Sequence, residues 1–235
     1  MLFISPPFGN YLTFFPDTIP IKGSFTIDNR PGKWSQIFKT LRYSYEYEGW
    51  VNKIGLRNPG IDYAIDNYRE GEIVSIAILK NEDVEALNNK IPEDMNIEIN
   101  VSCPNTNDKP ICKGLSCFIN PKREWCIIKV SPISDKRQIK EYYNEGFKQF
   151  HCCNTLPIRE GGLSGKSIIP HTISYIKYIK DELPTDTVVI AGGGVESVAD
   201  INDYLNAGAD HISISSVCFN PTNFLGLYLK YLNLK

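Results

Sequence analysis

Thr187-Val188-Val189-Ile190-Ala191-Gly192-Gly193-Gly194 is a short apolar run, rich in β-branched residues, that ends in three glycines. A helical pattern from Ser197 to Ala207 follows, with Gly208 placed to stop it. A run this apolar, without polar alternation, predicts a strand buried on both faces, as in a parallel sheet. Its place late in the chain matters. An open doubly wound sheet carries its glycine-rich turn after the first strand, whereas a (β/α)₈ barrel gathers phosphate-binding turns after its last two strands. Working outward, Gly49–Ile54, Ile73–Leu79, Ile97–Ser102, Cys126–Val130, Phe147–Cys153 and His211–Ser215 read the same way, with a weaker strand near Ile19–Thr26. Helical patterns alternate with them at Asn81–Lys90, Ser134–Asn144, Pro170–Glu182 and Asn223–Leu232. Alternating strands and helices predict an α/β fold, and about eight strands in 235 residues predict a compact (β/α)₈ TIM barrel, a single domain over 1–235.

Composition narrows the function. Apolar residues make up 42% and charged residues 22%, with 25 Lys+Arg against 27 Asp+Glu, a net charge of −2. That balance provides no electrostatic footprint for nucleic acid or an anionic membrane, and no stretch reaches the ~18–20 apolar residues of a membrane span. The start, Met1 to Pro7, is apolar but broken by Pro6, Pro7 and Gly9, which is not a signal peptide. Seven cysteines without a CxxC pair argue against a disulfide framework and against a closed metal site. The expected compartment is a reducing cytoplasm.

In a barrel, chemistry comes from the C-terminal ends of the strands. The runs end in Asn52, in Asn100-Val101-Ser102-Cys103-Pro104-Asn105, in Lys129, in Cys153-Asn154-Thr155, in the 192–194 glycines and in Ser215-Ser216. Each has an ordinary explanation: an asparagine caps a turn, a buried lysine is paired, a lone cysteine packs as a small hydrophobe. Four asparagines, a lysine and a cysteine on one rim are harder to explain singly. Together they suit a planar, amide-bearing heterocycle. Gly161-Gly162-Leu163-Ser164-Gly165 before a helix at Pro170, and Gly192-Gly193-Gly194 before a helix near Ser197, predict backbone cradles for a phosphate.

These segments together resemble the dihydroorotate dehydrogenase family of flavin enzymes, from about Lys22 to Phe219. The most specific piece is Asn100-Val101-Ser102-Cys103-Pro104-Asn105-Thr106, followed by Asn52-Lys53-Ile54-Gly55-Leu56-Arg57-Asn58-Pro59-Gly60 and the 161–165 segment. Gly23-Ser24-Phe25-Thr26, Lys129, Asn154-Thr155 and Ala191–Val195 support it. The resemblance implies FMN across the barrel mouth, contacted by Ser24 and Asn100, with its phosphate on Gly165, Gly193, Gly194, Ser215 and Ser216. It implies Lys129 at the flavin's pyrimidine end, and Asn52, Gly55, Leu56, Asn100, Asn105, Asn154 and Thr155 around a pyrimidine substrate. Cys103 is implied as the base in oxidation of dihydroorotate to orotate, with Cys112 and Cys117 as rivals. Cysteine at 103 is similar to the soluble class, whereas Gly23 stands where that class carries a flavin-contacting lysine. The family's first strand is not recognisable; Ser5-Pro6-Pro7-Phe8-Gly9-Asn10 stands there. Only five residues separate Thr155 from Gly161, a shortened loop over the site. A related flavin oxidoreductase on another ring or enone substrate, or a non-catalytic member, are the alternatives. Trp34, Tyr43, Tyr45 and Tyr47, if exposed, leave room for a homodimer.

Overall fold

The protein is seen in a computed structural model that describes residues 1–101 and 114–233. In chain order the strands are β1 (Leu2–Ile4), β2 (Thr18–Phe25), β3 (Arg42–Ser44), β4 (Gly49–Asn52), β5 (Ile73–Ala77), β6 (Ile97–Asn100), β7 (Cys126–Val130), β8 (Gln149–Cys152), β9 (Leu156–Ile158), β10 (Gly161–Gly165), β11 (Val188–Gly192) and β12 (His211–Ile214). The helices are α1 (Lys33–Thr40), α2 (Ile61–Asp66), α3 (Asn81–Lys90), α4 (Lys136–Asn144), α5 (Ile169–Glu182), α6 (Val198–Asn206) and α7 (Pro221–Leu232). Eight strands close a barrel in the order β1-β12-β11-β8-β7-β6-β5-β2, and every neighbouring pair is parallel. The expected (β/α)₈ architecture is therefore the one formed.

Two expected elements differ. Gly49–Ile54 is not the second barrel strand that its apolar run predicts. As β4 it joins an antiparallel sheet, β3-β4-β10-β9. Its burial alternates between buried and half-buried along Gly49-Trp50-Val51-Asn52, the pattern of a strand with one open face. The vacated place is taken by β1, which pairs with β2 on one side and β12 on the other. Its three residues are too few for periodicity to register, yet all are buried, and Phe3 meets Trp125 edge-on at 5.2 Å.

The second difference concerns Gly161–Gly165, which is strand β10 rather than a loop opening a helix. A Cβ at Gly161 would lie 2.3 Å from the Asn52 carbonyl oxygen, and one at Gly49 would lie 2.5 Å from that of Ser164. These glycines let β4 and β10 approach closely. The short segment between Thr155 and Gly161 is structured, because Leu156–Ile158 pairs back onto β10.

The helices follow their local signals. Asn81–Lys90 is helical over its expected span, and Pro170 occupies the first turn of α5. Ser197 caps α6 in a reciprocal capping box with Asp200. Inside the barrel, Phe3, Ile21, Ile73, Trp125, Ile127 and Ile190 form an apolar floor. Above it, toward the C-terminal ends, the inward residues turn polar: Ser75, Glu98, Lys129, His151 and Ser213 are all buried. Among the described residues, no helix is long and apolar enough to cross a membrane.

Candidate active site

The polar layer opens into two adjoining cavities at the C-terminal mouth. The larger, ≈ 770 Å³, includes Ser24, Asn52, Leu56, Asn100, Asn154 and Thr155 in its lining. The smaller, ≈ 70 Å³, is lined in part by Lys129, His151, Gly193, Gly194, Ser215 and Ser216. Pro6, Asn154 and Thr155 line both, so the two lie side by side. Eleven of the residues singled out in the sequence thus converge on these two cavities. Gly55 and Gly165 line neither cavity. Gly165 instead packs backbone to backbone: its carbonyl lies where a Cβ on Gly194 would be, at 2.6 Å. Cys103, Asn105 and Cys112 lie outside the described residues. Cys117, on the turn Leu115–Phe118, lines neither cavity.

The second and sixth barrel strands send out the antiparallel sheet that frames this mouth. Trp50 of β4 stacks on Phe219 at 4.2 Å, and Phe219 meets Phe8 at 4.8 Å, anchoring the sheet to the rim. Asn52 faces the large cavity from β4, and its amide donates to the Gly162 carbonyl at 3.5 Å. The loop after β4 is fixed by buried Asn58, whose side-chain oxygen accepts from the backbone of Thr26 and Gly60. Its amide donates to Thr26 Oγ1 and the Leu56 carbonyl. All four hydrogen-bonding positions of that amide are used, which holds Leu56 over the cavity. Lys22 also lines the large cavity and pairs with Glu72 at 2.5 Å.

The asparagines do not wait independently for a ligand. Asn154 Nδ2 donates to Asn100 Oδ1 at 3.1 Å, Asn100 Nδ2 donates to Ser24 Oγ at 3.1 Å, and Ser24 and Ser75 share a hydrogen bond of 2.8 Å. This chain runs from β8 across β6 to β2 and β5 and orients each amide before anything binds.

Beneath it lies a group that strand-end reasoning misses. Register aligns Asn100 with Lys129 and Lys129 with His151 on adjacent strands, and Glu98 stands one inward position below Asn100. Glu98 Oε1 is 3.3 Å from Lys129 Nζ, and its Oε2 is 2.5 Å from His151 Nδ1. Burial pushes the Glu98 carboxyl up, but Lys129 and His151 outweigh it and hold it down at about 2. Burial, aided by Lys129, pushes the His151 imidazole down against the pull of Glu98. At neutral pH Glu98 is therefore a carboxylate and His151 a neutral imidazole. A signal existed: a glutamate and a histidine inside apolar strands, each at the inward period-two position.

The donors suit a nucleotide-like ligand. The smaller cavity combines the Lys129 ammonium, five serines and the Gly193-Gly194 pair. The larger holds neutral amides and hydroxyls in a volume within the ~300–1,000 Å³ usual for small-molecule sites. Fold and site together define a (β/α)₈ barrel with cavities of small-molecule size at its C-terminal mouth.

Comparison with known proteins fits this class. Residues 145–225 match the family model for dihydroorotate dehydrogenase. The catalytic subunit of dihydroorotate dehydrogenase B (NAD(+)) from Oceanobacillus iheyensis is 28% identical over 218 residues, covering 77% of this chain and 71% of the relative. The corresponding subunit from Malacoplasma penetrans is 28% identical over 228 residues, covering 81% and 71%. Among solved structures, ligand-free type DHODH from Eimeria tenella superposes with a TM-score of 0.70 at 17% identity, covering 91% of this chain and 76% of that one. The same organism's DHODH in complex with ferulenol gives 0.68 at 16% identity, with coverages of 92% and 74%. Over these stretches the chain is similar to the dihydroorotate dehydrogenase family.

Proposed function

We propose that the protein binds FMN across the barrel mouth and oxidises dihydroorotate to orotate. The observation that carries this reading is the adjacency of two cavities of different chemistry. One holds a buried ammonium beside serines and paired glycines, and the other holds an amide and hydroxyl lining. Bound FMN would supply a two-electron acceptor for the hydride that leaves substrate C6. Ser215, Ser216, Gly193 and Gly194 would hold its phosphate. Lys129 would place positive charge beside the part of the flavin that gains electron density. Asn52, Asn100, Asn154 and Thr155 would hydrogen-bond the alternating C=O and N–H edges of the pyrimidine, with Leu56 packing on it. Asn105 would join them, and Cys103 would accept the C5 proton.

Titration of the purified protein with FMN, followed by anaerobic dihydroorotate, tests the reading. Flavin binding and bleaching are expected, and Cys103→Ala should slow bleaching by about 10²–10⁴-fold, the share typical of a general base. A protein with no affinity for FMN ends the cofactor assignment. Bound flavin that dihydroorotate does not bleach points to another ring or enone substrate.

A further inference from the structure

The larger cavity is cationic, although the chain as a whole carries a net charge of −2. Its charged lining is Lys22, Lys33, Arg57 and Arg69 against Asp66. Lys22 is paired with Glu72 at 2.5 Å, and Arg69 and Asp66 are exposed near the end of α2. Arg57 and Lys33 differ. Both are half-buried, and among the described residues neither has a carboxylate within ion-pair distance. We propose that Arg57, with Lys33, forms a carboxylate subsite that selects an anionic pyrimidine over a neutral one. The proposal deepens the dihydroorotate reading above and rests on it.

The two cations are held by neutral groups. Arg57 Nη1 donates to the Pro31 carbonyl at 3.4 Å, two residues before Lys33. Lys33 Nζ donates to the Tyr11 hydroxyl at 3.3 Å and lies 5.5 Å from the centre of that ring. Backbone hydrogen bonds of 2.8 and 2.9 Å between Arg30 and Asn58 tie the two segments together. Gly55 and Leu56 have φ of 69° and 54°. Two left-handed residues in a row turn the chain, so that Leu56 and Arg57 both line the cavity, where extended backbone sends neighbours to opposite sides. For leucine this conformation is strained, and such strain is concentrated at functional sites. Asn52 lies on the same loop, so one segment meets both the ring and its carboxylate. Neutral amides serve the ring edges but do not balance the full negative charge of a carboxylate. A guanidinium does, with two parallel N–H groups that match the two oxygens.

Orotate and its carboxamide, which keeps the ring and lacks the charge, separate the roles. On FMN-loaded wild type, orotate should bind the more tightly of the two. Arg57→Gln should weaken orotate by about 10–100-fold, the span for hydrogen bonds to a charged group, and leave the carboxamide unchanged. Arg57→Lys should keep part of the preference, because the charge remains and the fork is lost. With dihydroorotate, Arg57→Gln should raise KM more than it lowers kcat, since the carboxylate does not react. Equal weakening of both ligands would mean a structural role for the loop, and full orotate affinity would mean no subsite; either overturns the proposal. Should Arg57→Gln not fold, Lys33→Gln decides: a reduced preference for orotate supports the subsite and an unchanged one overturns it. If wild type binds neither FMN nor a pyrimidine, the functional reading fails. The subsite is then decided with benzoate and benzamide on protein without FMN. A benzoate preference that Arg57→Gln loses supports it, and no preference, or one that the variant keeps, overturns it.

Discussion

Glu98 is a carboxylate with no measurable exposure, kept charged by two neighbours rather than by water. Burying such a set costs desolvation, and removing one member leaves another charge uncompensated. Glu98→Gln should therefore lower stability at pH 7 by about 3–5 kcal/mol, the range for breaking a buried pair. The pH dependence has a defined sign. The folded carboxyl lies near 2, below its ordinary 4.5, so its contribution is present above about pH 4.5 and is lost as pH falls toward 2. Denaturant melts of wild type and Glu98→Gln should converge over that window, and parallel curves would show that Glu98 contributes nothing through its charge. At this scale the sequence was partly legible. Lys129, Asn100 and Asn154 end apolar runs and can be found by that position alone. Glu98 and His151 lie inside such runs, and their meaning depends on which residues the neighbouring strands set beside them.

The antiparallel sheet β3-β4-β10-β9 shows how an element's role depends on its partner. β4 and β10 are far apart in the chain, and their contact requires glycine at close crossings. In Gly49→Ala the new Cβ would meet the Ser164 carbonyl oxygen at 2.5 Å, an overlap with backbone that no rotamer can relieve. A cost of about 1–3 kcal/mol is expected, as for overpacking generally. Hydrogen exchange should locate the loss, with protection falling in Arg42–Asn52 and Leu156–Gly165 and persisting in the barrel strands. Uniform loss across the barrel would mean that the sheet is integral to the core rather than laid over the mouth. Helices were the easier elements to read, because caps such as Ser197 and first-turn prolines such as Pro170 act over three or four residues. The assignment of 161–165 to a loop erred because glycine richness is shared by phosphate-binding turns and by strands that must pack closely.

Barrel closure depends on the shortest barrel strand. β1 joins β2 to β12, and its Phe3 is fully buried in the apolar floor against Trp125. Phe3→Ala should cost about 3–5 kcal/mol, lowering Tm by about 10 °C in a chain of this size, measurable by calorimetry. A loss below 1 kcal/mol would mean that the floor closes without it. From the sequence alone came the parallel α/β class, the barrel, five of the helices and a rim bearing asparagines, Lys129 and serines. Those properties follow from local periodicity, capping and the position of polar residues at the ends of apolar runs. Tertiary structure alone decided that Leu2–Ile4 closes the barrel, that Gly49–Asn52 leaves it for a second sheet, and that Glu98 and His151 stand beneath Lys129. Each of those is set by pairing between segments distant in the chain, where register and burial choose the partner and short-range pattern carries no information.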